Sequence, residues 1–299
     1  MSGLVYFNGI LVPESEVALS LKDRSYLYGE GLFETMKAEK GFIPFLQEHL
    51  SRLFGGVDLL NLNVSISLPK LEFSIEQTLL HNHLKDAYIR VNLSQESEEH
   101  GDFHPGQKTN LAIIVKPLKK APARLYRQGA TAKIYGGFRI HPDVFCAIKS
   151  ANYLRYLLAR RDAEKAGADE ALLLNTQGRL VEGATTNFFL HDGSRWITPP
   201  LAEGPLAGVT RGVLLDMMRK NDVPVEEKAI AVEELRGAAE AILTNAIREI
   251  IPLSRVDDLP IGRGEVGAET RRLMELYQEE VQFRRERFES RMSGVEDVL

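Results

Sequence analysis

The stretch from Glu170 to Pro200, EALLLN-TQG-RLVEGATTNFFL-HDGS-RWITPP, limits the fold more than any other part of the chain. Its three apolar runs are separated by short Gly-containing turns, and that rhythm predicts a meander of three strands. Strand signals recur elsewhere. Asn8-Gly9 lies between LVYF and ILV, the pattern of a two-residue hairpin turn. DAYIRVNL (86–93) and NLAIIV (110–115) are β-rich and flank the polar loop SQESEEHGDFHPGQK. TAKIYGGFRI (131–140) reads as a strand, and EAILTNAIREIIPLSRV (240–256) as strand, interruption, strand.

Helical patterns are interspersed with these strands. FLQEHLSRLF (45–54) sets Leu46, Leu50 and Leu53 on one stripe with His49 and Arg52 together on its flank. A helix is predicted over 74–85 from a capping box of Ser74 and Gln77. Others are predicted over 150–166, with Leu154 and Leu158 on one side and Gly167 ending it, and over 209–220. A highly charged one is expected from about 266 to 292. The fold class is therefore mixed α+β. With 299 residues the chain is long enough for two domains or one large one, since cores stop growing near ~250–300 residues. Two domains are expected: 1–118, then a linker over 119–130 in the proline- and lysine-rich KPLKKAPARLYRQG, then a larger domain over 131–283. Residues 284–299 read as a charged C-terminal helix or tail.

Composition bounds the function. A formal charge of -5 gives no broad electrostatic case for nucleic acid. One cysteine, Cys146, makes neither an internal disulfide nor a zinc framework, which fits a reducing compartment. No run approaches the ~20 apolar residues of a membrane helix, and the N-terminus lacks the pattern of a signal peptide. The expectation is a cytoplasmic protein engaged in small-molecule chemistry or protein contact, with no nucleic-acid or membrane partner. His81 and His83, two apart on a predicted helix, point to different faces and are poor metal partners. His100 and His104, beside Glu98 and Glu99, read as solvated loop residues. Cys146 reads as a small packing residue.

Lys149 is the first candidate for chemistry. It follows the apolar pair Ala147-Ile148 and precedes a predicted helix; desolvation and a helix N-terminus both disfavour the ammonium form. A neutral amine is a Schiff-base nucleophile, although a lysine at such a junction is also an ordinary solvated one. EGPLAGVTRGVLLDMM (203–218) puts Gly208-Val209-Thr210 at a helix start able to attract a phosphate; a plain Gly or Thr cap is the alternative. Arg52 offers a charged fork for the same anion, or else a surface ion pair. Glu182, in RLVEGATTNFF, is a carboxylate within an apolar meander and needs a cationic or proton-bearing partner, whether Arg179 or the ring nitrogen of a pyridine cofactor.

Taken together, DRSYLYGEGLFET (23–35), EHLSRL (48–53), IKSANYL (148–154), GRLVEGATTNFF (178–189), GVTR (208–211) and TNAIREIIPL (244–253) resemble, in order and spacing, the class IV pyridoxal-phosphate aminotransferases. That group comprises branched-chain and D-amino acid aminotransferases and aminodeoxychorismate lyase. The resemblance implies a two-domain fold-type IV enzyme with pyridoxal 5'-phosphate in the interdomain cleft, and a homodimer. It implies that Lys149 is the Schiff-base lysine and Glu182 the partner of the pyridine nitrogen. Arg52, Val209 and Thr210 would hold the phosphate, and Tyr153 would lie near the 3′-oxygen. Asn245, Ala246 and Ile247 would complete the phosphate cradle and offer amides to a substrate carboxylate. Tyr28 and Phe33 would line the substrate pocket, and Arg90, in YIRV, resembles a carboxylate-binding arginine of branched-chain enzymes. The implied reaction is transamination of an amino acid with a 2-oxo acid. Asn245-Ala246 is closer to the lyase branch, which would release 4-aminobenzoate and pyruvate, while Leu93-Ser94-Gln95 replaces the Arg-Gly-containing strand end of lyases and D-specific enzymes. Ala246, lacking a hydroxyl, also leaves open a non-catalytic binding protein.

Overall fold

The structure is a computed structural model that describes residues 3–99 and 108–296, with side chains to residue 290. His100 and His104 lie outside the described residues. The chain divides into two compact units: Met1–Lys119 with Ile148–Tyr153, and Lys120–Ala147 with Leu154–Leu299.

The first unit begins with the hairpin read from Asn8-Gly9. β1 (Leu4–Phe7) and β2 (Ile10–Pro13) pair through Phe7 and Ile10, and both turn residues take positive φ, 49° and 104°. A short helix, α1 (Arg24–Tyr28), is capped by the Asp23 carboxylate, which accepts from the amides of Ser25 and Tyr26. Then follow β3 (Gly31–Ala38), α2 (Leu46–Leu59), α3 (Leu68–His81), β4 (Ala87–Gln95) and β5 (Thr109–Pro117). The five strands form one antiparallel sheet in the order β2-β1-β5-β4-β3. Leu32, Met36, Ile89, Val91, Leu93, Ile113 and Val115 pack in one core with Leu50, Leu53 and Val57 of α2 and Leu71, Ile75 and Leu79 of α3. Helix α3 starts six residues earlier than its predicted capping box. Pro69 suits its first turn and the stripe Leu71-Ile75-Leu79 sets its register, so Ser74 falls inside the helix and donates its hydroxyl to the Lys70 carbonyl at 2.8 Å.

Residues 148–153 belong to this unit, not with the C-terminal half where Lys149 was expected. Phe33 N donates to Lys149 O at 3.0 Å, Ala151 N donates to Gly31 O at 2.7 Å, and Ser150 lies opposite Leu32. The segment therefore borders the outer edge of β3. Its backbone groups are committed to that edge, which is why the predicted helix over 150–166 begins only at Leu154.

The second unit opens with α4 (Ala123–Arg127), inside the stretch expected to be linker. Leu125 is buried in this unit's core, and Arg124 pairs with Asp169. Next come β6 (Ala130–Ile134), α5 (Leu154–Lys165), β7 (Glu170–Leu174), β8 (Arg179–Gly183), β9 (Asn187–His191) and β10 (Trp196–Thr198). The predicted strand over 131–140 stops at Ile134. The meander has four strands instead of three, because RLVEGATTNFFL folds back on itself between Gly183 and Asn187. After it stand α6 (Val209–Lys220), β11 (Val225–Glu227), β12 (Ile230–Ala231), β13 (Glu240–Asn245), β14 (Glu249–Val256), β15 (Leu259–Pro260) and α7 (Ala268–Glu296).

Pairing runs β9-β13-β14-β6-β7-β8 and returns to β9 where Glu182 faces Asn187, so six strands close a ring. The charged C-terminal helix is anchored at its start, where Leu273, Tyr277 and Val281 form a buried stripe. Among the described residues, no helix is long and apolar enough to cross a membrane.

Candidate active site

In the first unit, Lys149 is half-buried and its ammonium lies 4.6 Å from the ring centroid of Phe33 and 5.8 Å from that of Tyr153. The two rings meet edge to face at 5.5 Å. Arg90 joins them: its guanidinium stands 4.0 Å from the Phe33 centroid, and its Nε donates to Asn92 Oδ1 at 2.9 Å. Phe33 pairs with Asn92 and Thr35 with Arg90 across β3 and β4, so strand alternation puts all four on one face of the sheet. Phe33, Arg90, Tyr153 and Lys149 are thus brought together. Tyr28, at the end of α1, is 43% exposed, with the Arg24 guanidinium 5.3 Å from its ring.

The opposite face of β3 carries a residue the sequence reading missed. Glu34 is fully buried and receives two hydrogen bonds from the Arg52 fork, Nε to Oε1 and Nη2 to Oε2, both 2.7 Å, while His49 Nδ1 approaches Oε2 at 2.8 Å. Burial alone would raise its pKa, but the charge of Arg52 and the hydrogen bonds from His49 and Arg52 hold it down at about 2. His49 is pushed below its ordinary value, chiefly by burial and further by the positive charges of Arg52 and Lys149, with Glu34 opposing. The i, i+3 flank of α2 was legible; its partner lay on another element, and only a buried acid in the strand ahead of EHLSRL could have signalled it.

In the second unit, Glu182 is 5% exposed and its Oε2 accepts from Leu206 N at 2.9 Å. Arg179, its alternative partner, pairs with Glu203 instead. The first turn of α6 bears Val209 and buried Thr210; its N-cap is Gly208, so no side chain caps the free amides. Thr244, on β13 opposite Asn187, has a buried hydroxyl without a hydrogen-bond partner. The turn between β13 and β14 is closed by Asn245, whose Oδ1 accepts from Ile247 N at 3.1 Å and Arg248 N at 2.7 Å. This departs from expectation for Ile247: the amide assigned to a substrate carboxylate is taken by the Asx turn. Ala246 is half-buried within that turn. Cys146 is buried, which raises its thiol pKa.

Residues 31–256 match the model of the family described as amino-transferase class IV. The chain belongs to this family. It is an enzyme of the class, with the α+β fold of fold-type IV, an aminotransferase or the related lyase. It is 28% identical to the D-alanine aminotransferase of Bacillus licheniformis, over 93% of this chain and 96% of the relative. It is 29% identical to the aminodeoxychorismate lyase of Bacillus subtilis, over 93% and 94%. It superimposes on the branched-chain aminotransferase of the thermophilic archaeon Thermoproteus uzoniensis, solved with norvaline, at a TM-score of 0.86 and 29% identity, covering 93% of this chain and 94% of that one. Three differently named activities at nearly equal identity mark the family without selecting a substrate.

Proposed function

We propose that this class IV enzyme catalyses pyridoxal-phosphate-dependent amino transfer between an amino acid and a 2-oxo acid, with Lys149 as its reactive amine. One observation carries the reading: Lys149 is fastened by its carbonyl to the edge of β3 while its ammonium rests against Phe33 and Tyr153. A flexible side chain is thereby given a fixed seat with aromatic walls and a second cation, Arg90, on the same ring.

The donor set suits the cofactor. In the first unit the Arg52 guanidinium suits a phosphate, and Tyr153 lies near Lys149. In the second, uncapped amides at Val209 and Thr210 suit a phosphate and the buried carboxylate of Glu182 suits a protonated ring nitrogen, with Asn245 and Ala246 assigned to the cofactor by the resemblance. When bound, the cofactor supplies an electron sink for the charge left when a bond at the substrate Cα breaks. Lys149 would take the proton from that Cα and deliver it to the cofactor carbon that keeps the transferred nitrogen, acting as base and then acid. Arg52, its fork already turned to Glu34, contributes positive charge from a fixed position. Arg90 is assigned to the substrate carboxylate, with Tyr28, Phe33, Ala246 and Ile247 lining the substrate.

Ala246, and Asn245 before it, favour a second reading, aminodeoxychorismate lyase, which uses the same lysine. Borohydride reduction of the holoprotein followed by peptide mapping tests Lys149; a label on any other peptide overturns its assignment. An amino-donor screen with 2-oxoglutarate and pyruvate, run beside K149A, should then give glutamate or alanine. Pyruvate released from aminodeoxychorismate without an acceptor would mark the lyase instead.

A further inference from the structure

Glu182 and Asn187 face each other at the point where β8 closes on β9, and both are 5% exposed. Their side chains reach the backbone of a single distant residue. Leu206 N donates to Glu182 Oε2 at 2.9 Å, and Leu206 O accepts from Asn187 Nδ2 at 2.9 Å. The same carbonyl accepts from Gly208 N at 2.8 Å, and Gly208 is the N-cap of α6. Asn187 Oδ1 sits so close over Gly208 that a Cβ there would overlap it. The loop joining the pair is equally tight: Gly183 N donates to Thr186 O at 2.7 Å, and a Cβ on Gly183 would overlap the Thr186 hydroxyl.

We propose that Asn187 is a positioning residue which, by gripping Leu206 and crowding Gly208, holds the Glu182 carboxylate and the first turn of α6 in one register. The proposal rests on the pyridoxal-phosphate reading above. A shift of Leu206 would withdraw the amide that orients Glu182 and would carry with it Gly208 and the amides of Val209 and Thr210. One side chain thus controls two separate duties, the protonation of a ring nitrogen and the reception of a phosphate. The grip is durable because an amide as buried as that of Asn187 is costly to leave without its acceptor.

The test uses apoprotein of the wild type, N187A, G208A and the double variant. Each is titrated with pyridoxal phosphate by absorbance, the pH midpoint of the bound cofactor's absorption band is recorded, and the unfolding temperature of the apoprotein is measured. N187A should bind the cofactor about tenfold or more weakly. Its midpoint should move to higher pH, because a ring nitrogen whose proton is less firmly held by the Glu182 carboxylate leaves the ring withdrawing less charge. G208A should do the same in the wild-type background and much less in the N187A background, where the oxygen it collides with is gone. If N187A does not fold, G208A alone must still move the midpoint. Variants that lose only unfolding temperature, or a G208A effect equal in both backgrounds, overturn the proposal while leaving the function intact. A wild-type protein that takes up no pyridoxal phosphate overturns the functional reading and this proposal together.

Discussion

At the scale of single residues, Glu34 is a wholly buried carboxylate committed to two partners, Arg52 and His49. Replacing Glu34 by Gln leaves the Arg52 fork without its anion in a site where Glu34 is wholly buried. The expected loss is about 3–5 kcal/mol, read as a fall in unfolding temperature at pH 7. The sign of the pH dependence follows from the two shifts. Glu34 drops from an ordinary 4.5 to about 2, so its contribution is complete above pH 4.5 and disappears as pH falls toward 2. That amounts to roughly 3 kcal/mol. His49 is depressed from 6.5, so stability also declines as pH falls below that value, when the unfolded chain takes up a proton that the folded one resists. Denaturation followed from pH 8 to 2 should show progressive loss, and E34Q should lack the lower limb. Arg52 and His49 were legible as neighbours from their spacing. Glu34 was not, because strand alternation hides which face a residue takes until a helix is laid on it.

At the scale of elements, several signals confined to one segment were readable, although the Ser74-Gln77 capping box did not mark the start of α3. The hairpin at Asn8-Gly9 needed only two residues that tolerate positive φ. The Leu50-Leu53 stripe fixed the buried face of α2. L50A, at a position with no exposure, should cost about 2–5 kcal/mol, whereas F73A, at a half-exposed site on α3, should stay within about 0.5 kcal/mol in the same denaturant titration. Signals failed where tertiary packing decided: Leu125 turns a lysine- and proline-rich stretch into α4, and pairing with β3 takes Ser150 and Ala151 out of the predicted helix. The β13–β14 turn offers a further check. N245A removes the acceptor of two amides and should cost about 1–3 kcal/mol, with hydrogen exchange at Ile247 and Arg248 accelerated. Y126F, losing one hydroxyl bond to the Arg248 carbonyl, should cost about 1 kcal/mol.

At the scale of the whole molecule, neither compact unit is a single uninterrupted stretch of sequence: the first recovers Ile148–Tyr153 from within the second. That arrangement escapes sequence reading, because a six-residue excursion carries no compositional mark. A fragment of residues 1–119 retains the five strands but leaves the outer edge of β3 uncovered, and exposed edges pair with other chains. It should self-associate in light scattering at concentrations where the full chain's first unit keeps that edge covered. The same excursion has a consequence for biosynthesis. The polypeptide must be extended through residues 120–147 before the hexapeptide that carries Lys149 exists, a delay of a few seconds at about 5–20 residues per second. Throughout that interval the nascent N-terminal half waits with one border unsealed, and Lys149 reaches its berth only after the strand it lies against has been synthesised.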